Sequence, residues 1–269
     1  MGEQAGTDVG RPVVIAHRGA SAVRPEHTLG AFRQAIRDGA DAIECDVRMT
    51  RDGHLVCVHD RSVDRTSDGH GLVSRHTLEE LRALDWSGPH SEVGHTAATE
   101  DDRRLVTLVE AAELVSAADR PVGLVVETKH PSRFGPHVDV EVARVLRQAG
   151  LGGLSEGRVP SAVVLSFWPA SLRRIGIQLP QVARGQLIAA AVPGTSRRAL
   201  APGVSVAALD LGLLRRHPEL VARHHARGHR VFVWTVNDAA DLRRCRDLGV
   251  DAVITDDPGS AVALWGGRR

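Results

Sequence analysis

Cysteine is scarce in this sequence: only three of its 269 residues, at positions 45, 57 and 245, are of this type. They form no C-x-x-C pair, and an odd number of cysteines argues against a framework of internal disulfides. The disulfide-stapled class of small secreted domains is therefore excluded. We expect a reducing compartment and predict a cytoplasmic location.

The chain also has little net charge and no long apolar run. Its 34 basic and 33 acidic residues leave a formal net charge of +1, which gives no electrostatic basis for binding nucleic acid or an anionic membrane. No stretch approaches the roughly 18 apolar residues of a membrane span, and the N-terminus, MGEQAGTDVG, has no basic and apolar signal segment. We predict no nucleic-acid partner, no stable membrane insertion and a disordered tail over residues 1–10.

Lysine is nearly absent. Lys129 is the single lysine in the chain, and the other basic residues are all arginines. Since arginine stands at every other basic position, a position that keeps lysine indicates a site with no room for a guanidinium, where a compact ammonium meets an anion. Lys129 is therefore a candidate ligand-binding residue.

What the chain has in quantity is an alternation of β-rich runs with helical patterns. Strand-like runs recur near residues 13–16, 42–50, 55–59, 122–128, 162–167, 181–188, 204–211, 230–236 and 252–255. Helices are predicted between them, including one that Asp139 would cap and that ends at Gln148. This alternation favours a parallel sheet closed into a (β/α)8 TIM barrel. We predict a single barrel domain over residues 11–269, with residues 61–104 as a loop-rich insertion after the second strand region.

The stretch that follows the first predicted helix indicates a β-hairpin, which accounts for one strand beyond the eight of a barrel. Its Asp52-Gly53 dipeptide is typical of a two-residue turn. With a loop of these two residues alone, Asp46 would lie directly opposite His59, with Cβ atoms about 5 Å apart. Because side chains alternate along a strand, Glu44 and Asp46 share one face. On an isolated edge strand that face would meet solvent, so its role depends on the other strand ends.

Polar side chains follow several of the predicted barrel strands at their carboxyl ends, which in this fold share one rim. The acidic members are Glu44, Asp46 and Glu127. Three carboxylates suit a hard divalent cation such as Mg²⁺ or Ca²⁺ that keeps positions for water and substrate. Zinc is less suited, since it prefers nitrogen and sulfur ligands and cysteine is absent from this face. The sequence therefore predicts a Ca²⁺ or Mg²⁺ site at the rim.

The same rim carries basic side chains that suit an anionic, phosphoryl ligand beside the cation. Arg18 offers a bidentate fork and Lys129 a point charge, and the alternative for Arg18 is a salt bridge to Glu26. His17 and His59 titrate near neutral pH and suit proton transfer on opposite sides of a displaced group. With 14 histidines in the chain, either one alone would most often be structural. Their common position at strand ends singles them out.

Six short motifs along the chain match a known family in order and spacing. They are HRG at residues 17–19, PEHT at 25–28, GADAIECDVRMTRDGHLVCVHD at 39–60, ETK at 127–129, WTVND at 234–238 and TDDP at 255–258. Together they resemble the glycerophosphodiester phosphodiesterase family. The resemblance spans almost the whole chain and implies a (β/α)8 barrel with a small insertion.

The resemblance also implies a role for each candidate residue. The resemblance implies that Glu44, Asp46 and Glu127 bind the metal and that His17 and His59 are the general acid and base. It also implies that Arg18 and Lys129 contact the phosphate and that Trp234 lines the glycerol side. One departure is His27, which stands where the family usually has asparagine. The support around Glu26 and Arg18 is expected to differ there without loss of activity.

These observations predict a metal-dependent phosphodiesterase that releases an alcohol from a small-molecule glycerophosphodiester and leaves sn-glycerol 3-phosphate. The residues do not distinguish between two nucleophiles, water or the adjacent glycerol hydroxyl, the second of which would give a cyclic phosphate. They also do not determine the physiological metal, the head group or the oligomeric state. One alternative is a lysophospholipase D-like enzyme, against which the lack of an apolar anchor argues. A catalytically silent phosphoester-binding module is the other, and it would not need both histidines and all three carboxylates.

Overall fold

The computed structural model describes residues 11–88, 99–153, 160–189 and 200–266. The tail predicted over residues 1–10 lies outside these ranges. The strands are β1 (Val13–Ala16), β2 (Ala42–Met49), β3 (Leu55–Cys57), β4 (Gly123–Thr128), β5 (Ala162–Ser166), β6 (Ala183–Ile188), β7 (Val206–Asp210), β8 (Arg230–Trp234) and β9 (Ala252–Thr255). The helices are α1 (Leu29–Arg37), α2 (Leu78–Arg82), α3 (Leu108–Ser116), α4 (His137–Gln148), α5 (Pro169–Gln178), α6 (Leu211–Arg216), α7 (Glu219–His225), α8 (Ala239–Asp247) and α9 (Pro258–Leu264).

Eight parallel strands close into a barrel, which confirms the predicted (β/α)8 fold class. Their order around the ring is β1-β9-β8-β7-β6-β5-β4-β2, and the pairing of β1 with β2, where Ile15 lies beside Ala42, closes the ring. The additional strand, β3, pairs antiparallel with the far end of β2. It pairs with the part of β2 that extends beyond the end of β1, so the hairpin projects from the carboxyl rim.

Alternate strand residues fill the barrel interior with apolar side chains. This buried interior core consists of Val13, Ile15, Ala42, Val125, Val163, Leu165, Leu187, Val206, Ala208, Phe232, Ala252 and Ile254. The residues between them, such as Val14, Ile43 and Val126, belong to the outer clusters that pack with the helices. Continuing the inward alternation toward the carboxyl ends leads from this core to polar side chains, and these form the site described below.

Local signals in the sequence define several helix starts. Thr28 caps α1, and capping boxes begin α2 at Thr77 and α3 at Thr107. The predicted cap at Asp139 is wrong, because α4 begins two residues earlier at His137. The Asp139 carboxylate is instead buried against α5, whose side chains donate hydrogen bonds to it.

The hairpin turn differs from the predicted two-residue form. The backbone N–H of Thr50 donates to the carbonyl of His54 over 2.9 Å, so the loop between them has three residues. Its last residue, Gly53, has φ +89, the left-handed conformation that closes three-residue hairpin loops and that glycine adopts without strain.

The longer loop shifts the strand register by one residue. The backbone N–H of Val58 donates to the Asp46 carbonyl over 2.9 Å, so the prediction that Asp46 lies directly opposite His59 is wrong. His59 follows the end of β3, and its carbonyl accepts hydrogen bonds from the Arg48 guanidinium at 2.6 and 2.9 Å. A side-chain contact, rather than strand pairing, therefore holds His59 near the rim.

The described part of the predicted insertion has a small core of its own. Two 3₁₀ turns, Val73–Arg75 and Glu100–Arg103, flank α2 in this region. The core consists of Val56, Val58, Val63, Val73, Leu81, Trp86 and Leu105, so it joins the insertion to the hairpin. Among the described helices the longest has 12 residues, and none combines the length and hydropathy of a membrane span.

Candidate active site

Three buried carboxylates from two neighbouring strands form the centre of the site. Glu44 and Asp46 continue the inward alternation of β2, and Glu127 continues that of β4, where it is the register partner of Asp46. Their residues are 3%, 1% and 9% exposed. Buried carboxylates are costly unless they are paired or coordinate a cation. Positive charge is therefore required at this place.

The Lys129 ammonium supplies part of that charge. Its Nζ lies 2.8 Å from Asp46 Oδ1 and 2.6 Å from Glu127 Oε1, so it bridges the two strands. Burial acts to lower the pKa of Lys129, but the two carboxylates outweigh it and raise the pKa. Burial likewise acts to raise the pKa of Asp46, yet Lys129, His27 and Arg18 hold it below its usual value. Lys129 and Asp46 are thus both ionised.

Glu44 and Glu127 keep raised pKa values, although Lys129 also contacts Glu127. Burial, with repulsion from neighbouring acids, raises the pKa of Glu44 well above its usual value and that of Glu127 to about 8. Asp46 Oδ2 is buried without a hydrogen-bond partner among the described residues, although Arg18 Nε forms an ion pair with it at 3.2 Å that is poorly aligned for a hydrogen bond. An oxygen-only donor set with an unsatisfied oxygen suits a divalent ion such as Mg²⁺ or Ca²⁺. The residues therefore fit the predicted metal.

His27 is buried beside the acids, and one of its nitrogens lies within 4.8 Å of donor oxygens of Glu44 and Asp46. Its Nε2 accepts the backbone N–H of Asp46 over 3.0 Å, so this nitrogen carries no proton. Burial lowers the pKa of His27 to about 3, which keeps the ring neutral. Because that lone pair is already engaged, His27 supports β2, and the oxygens of Glu44 and Asp46 are the donors of this group that a cation could use.

Arg18 reaches the acids from the loop after β1. Its backbone N–H donates to Glu44 Oε2 at 3.0 Å, and its Nη1 donates to Glu26 Oε1 at 3.1 Å. The salt bridge to Glu26, considered above as an alternative to phosphate binding, is therefore present together with the ion pair to Asp46. The next residue, Gly19, has φ +86, and a Cβ there would lie 2.7 Å from the backbone of α1. Only glycine allows this close turn.

His17 directly follows β1 and is held by a carboxylate. Its Nδ1 lies 2.6 Å from Asp256 Oδ1, and Asp256 also accepts hydrogen bonds from Ser21 and Asn237. Burial acts to raise the pKa of Asp256, but these contacts lower it. Since an ionised carboxylate only accepts hydrogen bonds, the His17 proton resides on Nδ1. Its Nε2 is then the atom available for exchanging a proton with a substrate.

His59 has the same arrangement on the hairpin side. Its Nδ1 lies 2.7 Å from Asp60 Oδ1, and Arg65 Nε donates to the other oxygen of Asp60 at 2.6 Å. Burial acts to raise the pKa of Asp60, and these two partners lower it. Burial, the leading cause, lowers the pKa of His59 itself. Both predicted histidines thus have Nδ1 held by a carboxylate, which leaves Nε2 as the atom that can exchange a proton.

The sequence interpretation did not single out Asp60 and Asp256 as site residues. The available signals were their positions: Asp60 is adjacent to His59, and Asp256 continues the inward alternation that runs through Ala252 and Ile254. A carboxylate at the carboxyl end of a barrel strand is a site candidate by the same rule that found Glu127.

Trp234 lies across the barrel mouth from the acids. It ends β8, which is four strands from β4 in either direction around the eight-stranded ring. Its Nε1 donates to the Ala208 carbonyl at 3.0 Å, and its ring meets that of Phe167 edge to face, with centroids 5.8 Å apart. The structure therefore gathers seven of the eight predicted residues on the acidic side and leaves this aromatic pair on the other.

A closed (β/α)8 barrel whose carboxyl rim combines oriented histidines, buried acids and two fixed cations defines a phosphoric ester hydrolase of the TIM-barrel class. The chain belongs to the glycerophosphoryl diester phosphodiesterase family, whose model matches residues 17–260. This confirms the resemblance seen in the motifs.

Individual relatives agree with the family model. The chain is 43% identical over 259 residues to a Mycobacterium tuberculosis protein named "Probable glycerophosphodiester phosphodiesterase 1", covering 94% of this chain and 92% of the relative. It is 35% identical to the glycerophosphodiester phosphodiesterase of Caldanaerobacter subterraneus, with 94% and 98% covered. Among solved structures, a phosphodiesterase of Oleispira antarctica in complex with the product sn-glycerol-3-phosphate superimposes with a TM-score of 0.77 at 26% identity, covering 94% of this chain and 96% of that one.

Proposed function

We propose that this protein hydrolyses glycerophosphodiesters to sn-glycerol 3-phosphate and an alcohol, using a divalent metal ion and the two histidines. The observation that carries the proposal is the pair of oriented imidazoles, His17 with Asp256 and His59 with Asp60, beside the buried carboxylates. Family membership and the product-bound relative support the same substrate class. A silent binding module would require neither oriented imidazole.

In this mechanism the fixed cations position the phosphodiester. The Arg18 guanidinium and the Lys129 ammonium are both held at the acids and would bind its non-bridging oxygens. A divalent ion bound by Glu44, Asp46 and Glu127 would act as a Lewis acid that neutralises phosphate charge. Trp234 would contact the glycerol part from the opposite side of the rim.

The two histidines would carry the proton transfers. One Nε2 accepts the proton of the attacking hydroxyl, and the other imidazole, protonated beforehand, donates a proton to the departing alkoxide. The carboxylates of Asp60 and Asp256 stabilise each imidazolium as it forms and hold the required tautomer. If the glycerol hydroxyl attacks, water would then open the cyclic phosphate with the two histidine roles exchanged, which yields glycerol 3-phosphate and restores both rings. If water attacks directly, glycerol 3-phosphate forms in one step and the rings exchange protons with solvent.

The test is release of sn-glycerol 3-phosphate from glycerophosphocholine and glycerophosphoethanolamine, in EDTA and after addition of Mg²⁺ or Ca²⁺. We expect activity that EDTA abolishes and a metal restores. His17→Ala should lower kcat by a factor on the order of 10² to 10⁴, the usual contribution of a positioned acid or base.

The matched control is His225→Ala. His225 also bonds a carboxylate, Asp251, over 2.8 Å, but Asp251 precedes β9 and lies at the opposite end of the barrel from Asp256. This variant should keep full activity. A wild-type protein that is inactive on both substrates and on glycerophosphoglycerol with either metal, yet binds glycerol phosphate, would refute hydrolysis in favour of a binding module.

We also propose a cytoplasmic location. The three cysteines are free and buried, which supports a reducing compartment. Fractionation of cells that produce the protein checks this, and recovery in a secreted or membrane fraction would contradict it.

A further inference from the structure

A cavity adjoins the acidic cluster on its hairpin side. It has a volume of about 410 Å³ and lies between the far end of β2, the 3₁₀ turn Val73–Arg75 and the loop over residues 131–133. Lys129 is one of its lining residues. Because the same ammonium bridges Asp46 and Glu127, the cavity opens beside the position proposed for the phosphodiester.

Four arginines line this cavity, which we call the arginine pocket: Arg48, Arg61, Arg75 and Arg133. No aspartate or glutamate is among the lining residues, and within the described ranges no ion pair joins any of the four to a carboxylate. Their side-chain partners are carbonyl oxygens, that of His59 for Arg48 and that of Ser74 for Arg133. The arrangement differs from that of nearby Arg65, whose guanidinium is neutralised by Glu26 and Asp60.

Guanidinium groups around one cavity that pair with no carboxylate attract an anion. Arg48 is also attracted by Asp46, Asp60 and Glu127 from outside the lining, but Arg61, Arg75 and Arg133 have no acid among the lining residues, and their mutual repulsion falls when a ligand brings negative charge. Guanidinium forks match the oxygens of a phosphate in a bidentate way. A cationic alcohol such as choline would meet repulsion here instead, and a neutral one would leave the charges unmatched.

The position of the pocket indicates which part of the substrate enters it. It lies on the β2 and β4 side of the rim, whereas Trp234 on β8 lies across the ring from β4. A phosphodiester held at Lys129 and Arg18, with its glycerol toward Trp234, directs its other ester group toward the hairpin. That group is the leaving alcohol.

We propose that the arginine pocket binds a second phosphate carried by the leaving alcohol, so that the preferred substrates are glycerophosphodiesters of phosphorylated alcohols. The inference rests on the proposed hydrolase function and adds its substrate class. The second phosphate can be a monoester on a polyol or the next diester of a longer chain, since both present oxygens to the same guanidinium groups.

The test compares kcat/KM within two matched substrate pairs at low salt. Glycerophosphoinositol 4-phosphate is compared with glycerophosphoinositol, and 1,3-bis(glycerophospho)glycerol with glycerophosphoglycerol. We expect a preference of about tenfold or more for the phosphorylated member, the gain typical of one charge-assisted hydrogen bond. The monoester pair should show the larger ratio because that phosphate carries more charge. Raising the salt concentration should reduce both ratios by screening.

The variant Arg61→Gln/Arg75→Gln/Arg133→Gln should bring these ratios close to one. All three residues are exposed, so the fold should tolerate the change. The control is Arg173→Gln/Arg223→Gln/Arg243→Gln, which removes the same charge from exposed positions on α5, α7 and α8 and should leave the ratios as in wild type.

Two results would overturn the inference: ratios near one in the wild type, or a preference that the pocket variant keeps. In either case hydrolysis of glycerophosphocholine would leave the proposed function standing. Failure to hydrolyse any of the diesters would instead refute the proposed function itself.

Discussion

At the scale of single residues, each site histidine depends on an adjacent carboxylate, and the two pairs are held differently. Asp256 is fixed by Ser21 and Asn237 in addition to His17. Asp60 is fixed by Arg65, and the His59 side chain is 36% exposed against 19% for His17. The His17 pair is thus the more enclosed one, and its tautomer is the more strictly determined.

Asp256→Asn tests this positioning role. The amide keeps the size of the carboxylate but also offers a donor to Nδ1, which would favour the tautomer with the proton on Nε2. We expect kcat to fall by a factor on the order of 10² while KM changes little. The pH profile of kcat should change as well, because the imidazolium loses its counter-charge.

Asp251→Asn is the control for this variant, since Asp251 bonds His225 at the opposite end of the barrel. It should leave both kcat and the pH profile unchanged. A fall in Asp256→Asn activity caused only by a higher KM, with an unaltered pH profile, would contradict the positioning role.

The site residues that could be predicted from the sequence are those that continue the two-residue alternation of a strand. His17, Glu44, Asp46, Glu127 and Lys129 all continue an inward alternation that the apolar pattern already marks. Their partners could not be derived in this way. His27 reaches the backbone N–H of Asp46 from a loop in which Arg18 and His27 both adopt left-handed backbone conformations, with φ +57 and +60, and the strand period does not predict these.

At the scale of elements, the hairpin shows how one loop residue changes a site. The sequence predicted the turn region but not the loop length, because Asp-Gly occurs both in two-residue turns and at the end of three-residue loops. Cross-strand pairing would have placed His59 beside Asp46. The observed register places it beyond β3, where Arg48 and Asp60 hold it. The prediction that Asp139 caps α4 was wrong because the partners of its carboxylate lie on α5, which local sequence does not reveal.

Gly53→Ala tests the three-residue loop. Within the part of the chain that the structure describes, no heavy atom lies within 4 Å of a Cβ built on Gly53, so the cost arises from the positive φ of +89. We expect about 1 kcal/mol of destabilisation, the usual cost of a left-handed non-glycine residue. In thermal unfolding this corresponds to a lower Tm by roughly 3 °C.

Gly153→Ala provides the matched comparison. A Cβ at Gly153 also meets no atom of the described residues within 4 Å, and its φ lies outside the left-handed region. The substitution should therefore be neutral or slightly stabilising, because alanine restricts the unfolded chain. Equal Tm values for the two variants would show that Gly53 does not require its left-handed conformation.

At the scale of the whole molecule, the barrel keeps three carboxylates in its least solvated part, and this lowers the free energy of unfolding. The apolar interior ends directly below Glu44, Asp46 and Glu127, so water cannot stabilise their charges. Lys129 and Arg18 offset only part of this repulsion, as the raised pKa values of Glu44 and Glu127 indicate. The acidic cluster should therefore destabilise the metal-free protein in proportion to its ionisation.

Glu127→Gln makes this cost measurable. The pKa of Glu127 is about 8 in the folded protein and near 4.5 in the unfolded chain. Between these values the unfolded chain loses a proton that the folded protein keeps, so the stability of the wild type falls as pH rises from 4.5 to 8. In EDTA, the Tm of Glu127→Gln relative to wild type should rise over this range. Glu113→Gln, at an exposed position on α3, should show no such trend.

Added Mg²⁺ or Ca²⁺ should reverse the order of stability. A ligand at 100 times its Kd stabilises the folded state by about 2.7 kcal/mol, so the Tm of the wild type and of Glu113→Gln should rise with metal concentration. Glu127→Gln lacks one proposed ligand, and its Tm should respond weakly or only at much higher concentrations. This readout needs no substrate, so it separates metal binding from catalysis. If Glu127→Gln gains as much as the wild type at each concentration, the metal is bound elsewhere, and the cluster must then be explained without it.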